Sequence, residues 1–159
     1  MNYPFIVRKK VEQSQIDHNN HMHDSEYNAV FSEAVNEFNY ANGLSLEERK
    51  ALNYTMFTLE EHTTYLSEMS LDMAFRIIVN IYNYDDKRVH FFLSLYTEDD
   101  VLAATNEVMM MGIDGEQRRS APFPEKYKKN VEQYYSIQGD VDWPKQLGHQ
   151  IGIPTKKDE

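Results

Sequence analysis

The stretch DSEYNAVFSEAVNEFNYANG, Asp24 to Gly43, carries the clearest period in the chain. Tyr27, Val30, Phe31, Ala34, Phe38 and Ala41 recur at i, i+3, i+4 and i+7. That spacing sets one apolar stripe along an α-helix. Asp24 suits the N-cap, Glu26 the first turn with its free, partly positive amides, and Gly43 the C-terminal stop. A helix with one apolar stripe needs a surface to bury it, and the flanking sequence reads as strands.

Before the helix, Phe5 to Gln15 is compatible with a strand; after it, Ser45 to Leu52 suits a short helical turn and Tyr54 to Leu66 a strand. Met73, Phe75, Ile77, Val79 and Ile81 then alternate with Ala74, Arg76, Ile78, Asn80 and Tyr82, the period of two that defines a strand. Asp85-Asp86 and Glu98-Asp99-Asp100 mark turns around strands at Val89–Tyr96 and Val101–Gly112. Such short connections predict an antiparallel meander. Pro124 suits the first position of a further helix whose face is Tyr127, Val131, Tyr134 and Tyr135. One strand, a long helix and then four strands predict an α+β domain with the helix against an antiparallel sheet. No linker or repeat divides the chain, so residues 1–159 read as one domain, a core over 1–138 and an irregular arm over 139–159.

A formal net charge of -10 argues against a nucleic-acid binder, which needs a basic face to displace counterions from phosphates. The absence of cysteine removes disulfides, thiolate metal sites and a Cys nucleophile together, and fits a reducing compartment. In MNYPFIVRKKVEQ the short apolar run precedes the bases, the reverse of a signal peptide. No apolar run approaches the roughly 20 residues that span a bilayer. The expectation is a soluble cytoplasmic protein, bound to neither membrane nor nucleic acid.

Chemistry concentrates just before the long helix. Three of the six histidines fall within Asp17–Asp24, with Asn19 and Asn20 among them. Read as a metal set, His18, His21 and His23 would sit with Asp17 or Asp24, but such sets draw ligands from separate elements, so no metal is expected. Neither Ser25 nor Ser32 lies in a nucleophile elbow, and Gly112-Ile113-Asp114-Gly115 is a turn. The carboxylate reading has a physical basis. Asp17 would precede a helix N-terminus whose unpartnered amides polarise a carbonyl and hold an oxyanion. It could then activate water or attack directly, or it could merely cap a turn.

The run DHNNHMHDSEYNAVFSEA resembles the D-x-N-G-H-M-N-x-x-x-Y…F-x-E-A signature of hotdog-fold acyl-CoA thioesterases, the 4-hydroxybenzoyl-CoA thioesterase-like group. Within it, DDKRVHFF, LAATNEVMMMGID, RRSAPFP and WPKQLGHQIGIP resemble segments of the betainyl-CoA thioesterase-like branch, in order along nearly the whole chain. The resemblance implies a hotdog fold, a long helix wrapped by an antiparallel sheet. It implies acyl-CoA thioester hydrolysis with no cofactor beyond the coenzyme A of the substrate, and a homodimer that could pair into tetramers. Asp17 takes the place of the acidic base or nucleophile, with His21 beside it in the catalytic set. Asn19 and Tyr27 take positioning and pocket-lining places, and the amide near Asp24 that of the oxyanion donor. Arg118 and Arg119 match a basic pair suited to coenzyme A phosphates.

Three positions depart from the pattern. Asn20 replaces a glycine but tolerates a left-handed backbone. Leu93 stands where a histidine is expected, and His149 where the tail has arginine. Different acyl selectivity would follow if those side chains read the acyl group, and the many tyrosines would suit a cationic one such as a betaine through cation–π contact. Two other functions share the fold: a non-catalytic acyl-CoA binder, and an enoyl-CoA hydratase carrying D-x-N-x-x-H. The chain has D-x-N-x-H, one residue shorter.

Overall fold

A computed structural model describes residues 1–155; the last four positions of the arm, 156–159, lie outside the described residues. The elements are β1 (Phe5–Lys10), α1 (Asp24–Ala41), α2 (Leu46–Leu52), β2 (Tyr54–Tyr65), β3 (Ala74–Tyr84), β4 (Arg88–Thr97), β5 (Leu102–Asp114), β6 (Arg119–Ser120) and α3 (Glu125–Gln138). A 3-10 turn at Gln13–Gln15 follows β1, so the first strand is shorter than its sequence suggested. This is the α+β hotdog arrangement expected: one long helix on one antiparallel sheet.

The strand order is β1-β3-β4-β5-β2, with β6 against β5. The meander is therefore confined to β3, β4 and β5. Although β2 precedes β3 in sequence, it pairs with β5 from Tyr54↔Asp114 to Tyr65↔Ala104 and forms one edge of the sheet. A bulge between Thr58 and Glu60 interrupts that ladder. Before it, the buried side chains of β2 are Tyr54 and Met56; after it, Thr63 and Tyr65 face α1 through the Asn28 side chain and the Tyr27 ring. The extra residue changes which side chains point at the helix.

The stripe on α1 is buried as Tyr27, Val30, Phe31, Ala34, Val35, Phe38 and Asn39. Phe38 is fully buried, in edge contacts with Phe5, Phe91 and Tyr134 at ring separations of 5.4, 5.5 and 4.9 Å. Burying such a ring contributes about 1.5–3 kcal/mol. Ala41 is exposed; the last buried position is Asn39, whose Oδ1 accepts from the Tyr127 hydroxyl of α3 at 2.6 Å. That bond explains a polar residue on the apolar stripe, since a buried amide needs a partner. Tyr135 of α3 is 40% exposed and rests on Tyr84, outside the buried face formed by Tyr127, Val131 and Tyr134.

On the sheet face away from α1 lies the arm, without regular structure from Gly139 onward among the described residues. No helix among them is long and apolar enough to cross a membrane.

Candidate active site

After the 3-10 turn, Ile16 and Met22 form an antiparallel bridge that closes a small loop. The Asp17 N–H donates to the His21 carbonyl at 2.8 Å, and the Asn20 N–H to the Asp17 carbonyl at 3.1 Å. Asn20 has φ 64°, the left-handed conformation a shape-restricted turn demands and asparagine tolerates. The Asp17 side chain fills the loop, with Oδ1 accepting from the amides of Asn19 at 2.9 Å and His21 at 3.2 Å. Chiefly the His21 amide, and with it that of Asn19, lowers the Asp17 pKa below its ordinary value. Asp17 is thus ionised at neutral pH, with both loop bonds on one of its two oxygens.

Helix α1 starts at Asp24, and its N-cap is His23 rather than Asp24. The ring Nδ1 of His23 accepts from the Ser25 amide at 3.2 Å and so caps the helix. Asp24 also accepts from that amide at 2.8 Å, from the first helical position, where a carboxylate meets the dipole favourably. The amides of His23 and Glu26 are engaged, whereas that of Asp24 has no acceptor among the described residues.

Asp17, Asn19, His21, Asp24 and Tyr27 line one cavity of about 600 Å³. Its other wall comes from the end of β2 and the following loop, through Tyr65, Leu66, Ser67 and Glu68. The Tyr27 and Tyr65 rings meet edge to face at 5.3 Å, and the Tyr65 hydroxyl donates to the Asp24 carbonyl at 3.1 Å. Burial raises the phenol pKa of both rings, keeping them neutral donors. His21 Nε2 lies 3.4 Å from a Glu68 carboxylate oxygen. Tyr65 and Glu68 carried no sequence signal: one sits at the end of a strand, the other in a loop, and the fold brings them in.

Arg118 and Arg119 are elsewhere in the protomer. Arg118 ends the β5–β6 turn and Arg119 opens β6 opposite Asp114, which pairs with Tyr54, whereas the cavity is at the Tyr65 end of β2. Eleven residue steps separate those ends, roughly 36 Å of strand. Among the described residues no group of three or more His, Asp or Glu side chains is arranged to hold a metal ion. Chemically, the cavity offers an ionised carboxylate, a free helix-terminal amide and aromatic walls, a set suited to polarising a carbonyl and directing attack on it.

Residues 11–131 match the model of the thioesterase-like superfamily. The chain is 30% identical over 140 residues to a betainyl-CoA thioesterase of Pseudomonas aeruginosa, covering 87% of this chain and 88% of that one. A solved hypothetical protein of Staphylococcus aureus in complex with CoA is 56% identical, with a TM-score of 0.93, covering 95% and 96% of the two chains. The 1,4-dihydroxy-2-naphthoyl-CoA thioesterase of Synechocystis, at 15% identity, shares the fold with a TM-score of 0.74 over 89% of this chain and 99% of its own.

Proposed function

The chain belongs to the thioesterase-like superfamily and is an acyl-CoA thioester hydrolase, and we propose that Asp17 drives the hydrolysis. One observation carries this reading: the ionised Asp17 carboxylate and the unpartnered Asp24 amide line the same cavity. The thioester carbonyl oxygen would point at that amide, and the charge that grows on it would be held by the helix terminus. The Asp17 oxygen not engaged by the loop would attack the carbonyl carbon or take a proton from the attacking water. Asn19 and His21 would hold the loop and the thioester in place, and Tyr27 would line the acyl pocket.

A homodimer formed through β2 completes this reading. β2 is an edge strand of 12 residues with Phe57, Leu59 and Tyr65 each about half exposed. A free edge of that length calls for a partner strand. A two-fold axis perpendicular to the sheet, keeping both copies of α1 on one face, makes the two β2 strands antiparallel. The Tyr54 end of one copy then lies by the Tyr65 end of the other. Arg118 and Arg119 of the partner subunit would approach the cavity within about three strand spacings, roughly 14 Å. That supports a role for them toward the coenzyme A phosphates. The cysteine-free composition supports a cytoplasmic setting.

Thiol release from a panel of acyl-CoAs tests the proposal, with betainyl-CoA included because Tyr27, Tyr65 and the Glu68 carboxylate would suit a cationic acyl group. Asp17→Asn keeps an oxygen acceptor for the loop amides, so the fold should survive while turnover falls about 10²–10⁴-fold. Unchanged turnover would remove Asp17 from the mechanism.

A further inference from the structure

The arm crosses the sheet in one direction. The Trp143 ring packs on Tyr82 of β3 and Phe92 of β4, at 5.3 and 6.1 Å between ring centres. Next, the Gly148 N–H donates to a Glu107 carboxylate oxygen of β5 at 2.7 Å, and the other oxygen of Glu107 meets His90 Nε2 at 2.7 Å. His149 then faces His62 of β2 at 6.1 Å. Those contacts follow the strand order β3, β4, β5, β2, so the arm arrives at the free edge. There Ile153 shares a cavity with Thr64, yet Ile151 and Ile153 are 90% and 94% exposed. Two isoleucines in water at the end of a tethered segment lack the burial that would justify their positions.

Resting on the β2-paired homodimer proposed above, we propose that the arm of each protomer continues over the seam and docks Ile151–Ile153 on the outer sheet face of the second copy. Antiparallel pairing determines what lies there. Opposite the Thr64 end of one β2 is the Phe57 end of the other. Phe57 is 50% exposed and pairs with Met111, while its neighbour Met56 points into the core. Strand alternation therefore puts Phe57 on the arm's side of the sheet, next to Met111 and Met109. The isoleucines meet an apolar strip on the partner; within one protomer the arm reaches only the Met109 end of that strip, through Gly148–Gln150, and Phe57 lies about 20 Å from Thr64 along the strand.

The chain has no native cysteine, so engineered pairs report cleanly. A protein carrying both Ile153→Cys and Phe57→Cys, and a second carrying Ile151→Cys with Phe57→Cys, are oxidised and run without reductant. At least one should form a covalent dimer at a level no single variant reaches. In parallel, sedimentation compares the natural chain with Ile151→Ser/Ile153→Ser, whose fold is checked by circular dichroism. Removing two buried isoleucine contacts on each of two arms should weaken the dimer about ten-thousandfold or more. A dimer of unchanged affinity with no pair-specific linkage would overturn the crossing arm and leave the β2 dimer standing. A monomer at every concentration would overturn both, and Asp17-dependent thiol release would still report on the hydrolase by itself.

Discussion

Asp17 and His21 hold each other through two bonds in opposite senses: the Asp17 N–H donates to the His21 carbonyl, and the His21 N–H donates to the Asp17 carboxylate. The first fixes the loop and the second stabilises the charge, so the shape of the loop and the ionisation of the carboxyl are coupled.

The pH dependence follows from that coupling. The His21 amide, followed by that of Asn19, lowers the Asp17 pKa in the folded protein. With Asp17 as the proposed base or nucleophile, the ionised form would be the reactive one, so activity should persist through the ordinary carboxylate value of about 3.9 and be lost only as pH falls through the lower folded value. Stability follows the same sign: the contribution of this group is present above the unfolded pKa and disappears as pH falls through the folded one. A profile of kcat/KM against pH should show no acid limb from Asp17 above about pH 4. An Asp17-dependent limb near neutrality would contradict it.

Asn20 tests the loop by a different route. With φ 64°, Asn20→Val should cost roughly 1–2 kcal/mol, whereas Asn20→Gly should be close to neutral. Urea unfolding gives both numbers. Equal stability in the two variants would mean that the loop takes up another conformation.

For Arg118 and Arg119 the expected signature is kinetic. Arg118→Gln/Arg119→Gln should raise KM for acyl-CoA about tenfold or more, the cost of roughly 1.5–3 kcal/mol for lost hydrogen bonds to charge, with kcat nearly unchanged. An acyl-pantetheine lacking the nucleotide phosphates should be hydrolysed equally by both proteins. A KM rise shared by both substrates would assign the arginines to structure.

Much of the fold was legible because it rests on period. The stripe of Tyr27 through Phe38 and the alternation around Ile77 and Val79 are local patterns, and they located α1 and β3 closely. Pairing of β2 with β5 was not legible, since it joins Tyr54 to Asp114 across the sequence of two intervening strands. The same reason hid Tyr65 and Glu68, which reach the cavity through that pairing. Asp17, Asn19, His21, Asp24 and Tyr27 were readable as a group because they are neighbours in sequence as well as in space. The capping role of His23 depends on ring orientation, which sequence does not specify.

The bulge between Thr58 and Glu60 constrains how this strand can vary. On one side of it β2 builds the core with even-numbered residues, Tyr54 and Met56; on the other it faces α1 with odd-numbered ones, Thr63 and Tyr65, the second of which lines the cavity. Deleting one residue there would restore an unbroken ladder and turn Tyr65 away from Tyr27, dismantling the aromatic wall without touching Asp17. β2 can therefore accept exchange of side chains far more readily than a change of one in its length, whereas the turns, where parity is not at stake, can take an insertion.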